Sequence, residues 1–169
     1  ANWRMHASTS GPTWAAASLS VTQQSSGSPI PVAGGTYNWG TTTSERAVGA
    51  MTSGGFASPN NLLSFYVNDG TSNITQLTIS YNAERYRINS ADASIQFYYS
   101  LNGTSWTAIN TGDIAKTSFP TGTSSYTFAS PLTVNKTGIT ISSLSIAPNS
   151  TFYLRWNINT TGGNSQGIG

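Results

Sequence analysis

The segment LTISYNAERYR, residues 77–87, alternates apolar and polar side chains over most of its length. A period of two is typical of a β-strand with one buried face, because successive strand side chains point to opposite sides. One predicted face is apolar and the other polar: Leu77, Ile79, Tyr81 and Ala83 against Thr78, Ser80, Asn82, Glu84 and Tyr86. The pattern predicts a strand over residues 76–87 that covers a core with one face.

Two more segments have the same period, residues 94–101 and 151–158. Their apolar faces are Ile95, Phe97, Tyr99 and Leu101 in the first, and Phe152, Leu154, Trp156 and Ile158 in the second. A fourth strand is predicted at 63–67, and weaker ones at 3–6, 19–21, 36–39, 46–51, 106–109 and 126–128. Turn signals such as Asn68-Asp69-Gly70 and Asn102-Gly103 separate the strands, and 25–35 is predicted to be a long surface loop.

Many short strands divided by turns predict an all-β fold. We expect a two-sheet antiparallel β-sandwich, of the jelly-roll or Ig-like kind, over a single domain of residues 1–169. The chain begins at Ala1 with no recognisable signal peptide, which suggests a processed protein or a fragment.

The composition is low in charge, at 7% of residues against roughly 25% in an average soluble domain. Aromatic residues make up 11%, so a packed fold is expected rather than disorder. With so few charges, the surface is expected to consist mainly of hydroxyl and amide groups. Such surfaces are common in extracellular β proteins, and they do little to prevent association between molecules. The net charge is +2, and the basic residues do not cluster in a run. No apolar stretch is nearly as long as a helix that spans a membrane. We therefore expect neither nucleic-acid binding nor membrane insertion.

Residues suited to catalysis or metal binding are scarce. The chain has no cysteine, one histidine (His6) and five acids. His6 lies in a predicted terminal strand, and the chain has no Gly-x-Ser-x-Gly elbow. Three acids fall in predicted turns, and a glycosidase needs two carboxyls that face each other. We expect a protein that is not an enzyme and has no cofactor or metal site.

Arg85 continues the inward register of the first strand. A guanidinium that heads toward a core or its rim needs a partner. Neighbouring strand residues point to opposite faces, so an ion pair has to come from another strand, and Glu45 is one candidate.

A binding surface is predicted on the polar face of the three main strands, if they share one sheet. Its members would be Glu84, Tyr86, Gln96, Tyr98, Tyr153, Arg155 and Asn157. Tyrosines, amides and an arginine on a flat face can stack on sugar rings, and tyrosine and arginine are also enriched in protein–protein contacts. The competing interpretation is an ordinary solvated sheet face, or one covered by a loop.

Five sequence motifs follow one another along the chain in a recognisable order. They are TYNWG (36–40), SERAVG (44–49), LTISY with ERYR (77–81 and 84–87), FYYS (97–100) followed by Trp106, and FYLRW (152–156). In these motifs the chain resembles an exported β-sandwich domain of surface and secreted proteins of Bacteroidota-type bacteria, a module associated with type IX secretion. The resemblance covers nearly the whole chain. It implies fold and export, and little about activity.

The ends of the chain differ from that family. Its members continue past Gly-Ile-Gly with a closing strand that contains Asp-Asp, whereas this sequence ends at Gly167-Ile168-Gly169. The resemblance therefore implies an incomplete terminal strand, which is either missing here or supplied by another copy. An unpaired sheet edge invites strand addition.

These observations favour a non-catalytic extracellular structural or adhesive module at the cell surface. It could assemble into a fibre or filament with other copies of itself, or join neighbouring domains, through strand edges. The alternative is a carbohydrate-binding module in which glycans bind the exposed tyrosines and arginine. A hydrolase is the third and least favoured class.

Overall fold

The computed structural model describes residues 3–7, 11–17, 23–24, 31, 33–41, 46–54, 56, 59–160 and 162–169. Nearly all regular structure in this part of the chain is β-strand, with two 3-10 turns at Asn110–Gly112 and Lys116–Ser118. The strands are β1 (Trp3–Ala7), β2 (Gln23–Gln24), β3 (Gly35–Trp39), β4 (Ala47–Met51), β5 (Asn60–Val67), β6 (Leu77–Ile88), β7 (Ala93–Ser100), β8 (Thr107–Ala108), β9 (Ser125–Tyr126), β10 (Leu132–Ile141), β11 (Thr151–Thr160) and β12 (Gly167–Ile168).

The strands form two sheets that pack face to face. The five-stranded sheet has the order β1-β5-β11-β7-β8, and every neighbouring pair in it is antiparallel. The other sheet has the order β10-β6-β12-β4-β3-β2, with β9 also paired to β6. Its pairs are antiparallel except the short parallel contact of β2 with β3. The predicted β-sandwich is therefore confirmed.

The main core lies between the two sheets. The apolar faces predicted for β6, β7 and β11 point into it, with Phe97 fully buried and Trp156 nearly so. The exception is Leu101, which lies beyond the end of β7 and is exposed. The rings of Tyr81, Phe97 and Trp156 meet at centroid distances of 5.3–5.8 Å. This aromatic contact joins the sheets, because Tyr81 belongs to β6 and the other two rings to the facing sheet.

Three strands do not match the predicted set. β10 was not predicted, because Gly138 at a φ of 66° interrupts its alternation with a bulge between Lys136 and Ile139. β2 and β12 are two residues each, too short for a periodic signal. The predicted strand at 19–21 and most of the predicted loop at 25–35 lie outside the described residues.

The three main strands do not share one sheet, so the condition for the predicted common polar face is not met. β6 lies in the larger sheet, whereas β7 and β11 are paired to each other in the five-stranded sheet. The alternation of each strand is local information. The sheet that a strand joins depends on partners far along the chain, and the turn at Asn68-Asp69-Gly70 leads from one sheet to the other.

A second apolar cluster lies on the other side of the larger sheet. Tyr37, Trp39 and Tyr86 are almost fully buried there. The Trp39 ring stacks on Tyr37 at 4.5 Å and on Tyr86 at 5.7 Å between centroids. Both faces of this sheet are therefore covered near β3 and β12.

Alkaline pH is expected to weaken the fold through this cluster. The Tyr37 hydroxyl donates to the Ala33 carbonyl, and burial is the main cause that raises the pKa of Tyr37 from its ordinary 10 to about 12. The unfolded chain loses this proton first. The contribution of Tyr37 is thus intact below pH 10 and is lost as the pH rises toward 12, by an amount on the order of 2 kcal/mol.

Denaturant titrations at several alkaline pH values measure this loss. Tyr37→Phe should make the decline of the unfolding free energy above pH 10 shallower. An unchanged decline in the variant would contradict the assignment.

Candidate functional site

The face that sequence analysis predicted for binding is covered in its central part. Residues 11–17 cross the outer side of the five-stranded sheet, where Trp14 packs against Phe65 and Tyr153 at centroid distances of 5.2 and 5.7 Å. Trp106 donates from its indole nitrogen to the Pro12 carbonyl at 2.8 Å, which fixes the same segment. The interpretation of a face covered by a loop therefore applies here.

Arg155 lies under this covering segment and is 5% exposed. Its guanidinium stacks on the Tyr98 ring at 3.8 Å and lies 5.0 Å from the Trp106 ring. A Cβ on Gly11 would come within 2.1 Å of Arg155 Nη1, so a larger residue at position 11 would displace the guanidinium. Burial lowers the pKa of Arg155 below its usual value. Arg155 therefore packs between the Tyr98 ring and the backbone at Gly11.

The seven predicted binding residues are divided between two places. Asn157 is buried and donates to the Asn61 side chain at 2.8 Å, while Gln96 stays exposed and Tyr98 half-buried. Glu84 and Tyr86 lie on the other sheet, where the buried Tyr86 donates its hydroxyl to the Glu84 carboxylate. The structure therefore offers no common face for all seven.

The scattered acids have separate structural contacts. Asp92 pairs with Lys116 at the surface at 3.1 Å, and Asp113 Oδ1 accepts the Phe97 backbone N–H at 2.8 Å. Arg85 donates to the Pro120 carbonyl at 2.6 Å and to Gln166 Oε1 at 3.4 Å, and burial lowers the pKa of Arg85. Its predicted partner Glu45 lies outside the described residues.

In the part of the chain that the structure describes, no three His, Asp or Glu side chains come together as a metal site. Within the same ranges, no helix has the length and apolar character to cross a membrane.

A cavity of about 430 Å³ opens between the two sheets at the end of β12. It is lined from both sheets and is apolar on its inner side. The lining residues are Trp3, Arg46, Ala47, Val48, Leu62, Tyr81, Asn82, Ala83, Glu84, Ile95, Trp156, Ile158 and Gly169. No sequence pattern indicated this cavity, because its walls come from seven different parts of the chain.

The cavity continues the path of β12 between β4 and β6. Ile168 pairs with Ala50 of β4 and with Arg85 of β6, and Gly169 exchanges two backbone hydrogen bonds of 2.8 Å with Glu84. Past Gly169, the β6 residues that precede Glu84 pair only with β10 among the described residues. We call this gap between β4 and β6, with the cavity beneath it, the slot.

The slot exposes unpaired backbone groups along β6. Backbone N–H and C=O groups alternate between the two sides of a strand, and those of Glu84 point to the β12 side. The same groups of Asn82, Ser80 and Thr78 therefore point into the slot. None of them has a backbone partner in the described part of the chain.

Trp39 holds β12 at the head of the slot. Its indole nitrogen donates to the Ile168 carbonyl at 3.1 Å, while the Ile168 side chain is buried in the main core. A Cβ on Gly167 would come within 2.9 Å of the Trp39 ring, and one on Gly169 within 2.8 Å. The Gly-Ile-Gly sequence thus places one apolar side chain inward and leaves room for the indole on the outside.

Comparisons of the chain with protein-family models, with curated proteins and with solved structures found no match. The exported bacterial domain that the motifs resemble is thus still an expectation from sequence. The slot and its lining are the features of the described chain that best support a functional proposal.

Gly167→Ala is expected to destabilise the protein by about 1–3 kcal/mol, because the added methyl group overlaps the Trp39 ring and the strand or the indole has to shift. Gly163→Ala is the matched control, since a Cβ there meets nothing within 4 Å. Urea denaturation measures both. Equal stability of the two variants would show that the indole does not hold β12 in place.

Proposed function

We propose that the protein is a non-catalytic extracellular structural or adhesive module that associates through the open edge of β6, with other copies of itself or with neighbouring domains. The single observation that carries this proposal is the row of unpaired backbone groups on β6 above an apolar cavity. Strand addition to an open sheet edge is a recurring mode of polypeptide recognition.

Hydrogen bonding of the unpaired backbone groups of β6 supplies a driving force for strand addition. Buried N–H and C=O groups are nearly always paired in native proteins, and an exposed row of them is a template for another strand. In the slot the edge lies inside a sheet, beside side chains of the core such as Tyr81 and Ile95. A strand that enters gains hydrogen bonds and buries apolar surface in one step.

The outer edge of the same sheet is less suited to strand addition. β10 carries the half-buried Lys136 and the bulge at Gly138. Charged residues and bulges are the usual devices that discourage pairing at an edge. The slot has neither on β6 between Leu77 and Ala83. Association is therefore proposed at the slot in preference to β10.

The composition supports an extracellular site of action. The hydroxyl- and amide-rich surface, the 7% of charged residues and the resemblance to exported bacterial domains all favour a surface module that tolerates association. The absence of catalysis is supported by the contacts of Asp92 and Asp113, which are a surface ion pair and a backbone hydrogen bond.

Carbohydrate binding is the second candidate, and one observation favours it. Tyr98 and Gln96 remain accessible on β7 beside the Arg155 guanidinium. Tyr153 is packed under Trp14, so the platform is smaller than the sequence predicted. Glycan-array binding that is lost in Tyr98→Ala would support this candidate over strand-mediated association.

Two proline variants separate the slot from the other edge. Asn82→Pro removes a backbone N–H that points into the slot, and Asn135→Pro removes one that points away from β6, since these residues face each other in a pair without mutual hydrogen bonds. We expect the native protein to associate as its concentration rises, Asn82→Pro to remain monomeric, and Asn135→Pro to behave like the native protein.

Sedimentation velocity and electron microscopy over a concentration series measure this association. A native protein that is monomeric throughout the series would contradict association between copies at the slot. So would an equal effect of the two variants, because association would then not depend on the slot. Circular dichroism spectra confirm that both variants keep the native strand content.

A further inference from the structure

We propose that the outer face of the five-stranded sheet binds an acidic glycan, and that Arg155 binds its carboxylate or sulfate group once residues 11–17 move aside. We call residues 11–17 the strap. The proposal rests on the carbohydrate candidate, whose ligand chemistry it names, and is independent of association through β6. It follows from the unpaired N–H groups of a buried guanidinium, from the ion pairs of the described acids, and from the contacts of the strap.

Arg155 is a buried cation whose hydrogen-bonding capacity is only partly used. Its Nε and Nη1 atoms have no hydrogen-bond partner in the described part of the chain, although the residue is 5% exposed. A guanidinium carries five N–H donors, and a buried donor without an acceptor costs free energy. Stacking on the Tyr98 ring stabilises the charge, but a ring face supplies no anionic acceptor. Arg155 is therefore available to bind an anion.

In the described ranges, no acidic side chain forms an ion pair with Arg155. Asp92 pairs with a lysine at the surface, and Asp113 accepts a backbone N–H of β7. Glu84 lies on the other sheet, and Asp69 is exposed in the turn that follows β5. Arginine is rarely buried in proteins unless it is paired with an acid. The missing counter-charge is what an anionic ligand would supply.

A second arginine lies in the same row of the sheet. Arg4 of β1 and Arg155 of β11 pair with Leu63 of β5 from its two sides, and Tyr98 follows in the row. Directly opposite side chains point to the same face, so both guanidinium groups belong to the outer face. Two strand spacings separate their Cα atoms by roughly 10 Å. Two cations in one row are suited to a polymer that carries repeated anionic groups.

Aromatic and amide side chains border Arg155. The half-buried Tyr98 donates its hydroxyl to the exposed Gln96 at 3.3 Å, and the half-buried Trp106 ring lies 5.0 Å from the guanidinium. An aromatic face offers apolar contact to the C–H groups of a sugar ring, and an amide exchanges hydrogen bonds with its hydroxyls. These neighbours favour an acidic sugar over a simple inorganic anion.

The strap covers Arg155 without supplying acceptors to its free donors. The strap carbonyl groups accept from other side chains, that of Pro12 from the Trp106 indole at 2.8 Å and that of Trp14 from Arg4 at 2.6 Å. Arg155 Nε and Nη1 thus lie beneath a segment whose acceptors are used elsewhere. An anion that replaces the strap at this point would form the hydrogen bonds that the strap does not.

The strap has to move before an anion can reach Arg155 Nη1. At Gly11 the backbone is so close that an added Cβ would lie 2.1 Å from this atom. Trp14 anchors the strap, because its ring packs against Phe65 and Tyr153. A site that is open in only part of the population binds with an affinity reduced by that fraction. Loosening the anchor is therefore expected to strengthen binding.

Isothermal titration calorimetry with dextran sulfate, polygalacturonate and neutral dextran tests the ligand chemistry. Dextran sulfate and dextran share a sugar backbone and differ in the anionic groups, whereas polygalacturonate carries carboxylates. We expect the native protein to bind both polyanions, and to bind dextran at least about tenfold more weakly, because a charge-assisted hydrogen bond to Arg155 is then missing. The polyanions should also raise Tm in a concentration-dependent way, and dextran should not.

Three variants test the residues. Arg155→Lys keeps the net charge but loses the planar fork of donors, so the affinity for both polyanions should fall by roughly fivefold or more. Lys116→Gln removes an exposed charge and is the control for general electrostatic attraction, with a change of less than about twofold. Trp14→Ala should bind the polyanions about threefold more tightly or better, because the strap opens more readily.

Equal losses of affinity in Arg155→Lys and Lys116→Gln would overturn the proposal, because binding would then be general electrostatic attraction. Dextran binding as tight as that of dextran sulfate would also overturn it, while it would support carbohydrate binding itself. Unchanged or weaker binding by Trp14→Ala would contradict the strap as a cover that has to open. If Arg155→Lys does not fold, the native protein decides, since a Tm that neither polyanion raises contradicts the proposal.

Discussion

The insertion of β12 between β4 and β6 is the constraint on which the larger sheet depends. β4 and β6 run in the same direction and have no pairing with each other among the described strands, and Ile168 bridges them through Ala50 and Arg85. Trp39 secures the bridge from outside by a hydrogen bond to the Ile168 carbonyl, and the Ile168 side chain secures it from the core. Two glycines make this possible because they leave space for the indole.

The same arrangement produces the slot. β12 pairs with β6 at Arg87 and Arg85, and Gly169 extends this pairing to Glu84. The rest of that edge lacks a partner in the described chain, although it lies inside the sheet and above the core. Among the described residues, the edge of β6 that precedes Glu84 is therefore open on its β4 side.

In contrast to the open edge of β6, the outer face of the five-stranded sheet is covered in its central part. Residues 11–17 cover Tyr153 and Arg155, and two guanidinium groups stack on aromatic rings there: Arg4 lies 4.2 Å from Trp14, and Arg155 lies 3.8 Å from Tyr98. Cations packed on ring faces contribute favourably when they are desolvated. The polar side chains of β11 therefore lie on a covered face. For this reason the alternation of the sequence overestimated how exposed they are.

The sequence by itself determined the alternation of the main strands and hence the apolar faces of β6, β7 and β11, because the strand pleat relates each side chain to its immediate neighbours. It also determined the all-β class. Only the tertiary structure decided that β6 joins a different sheet from β7 and β11, that residues 11–17 cover Arg155, and that β12 leaves a slot beside Asn82. These features depend on contacts between residues far apart in the chain, for which a local period carries no information.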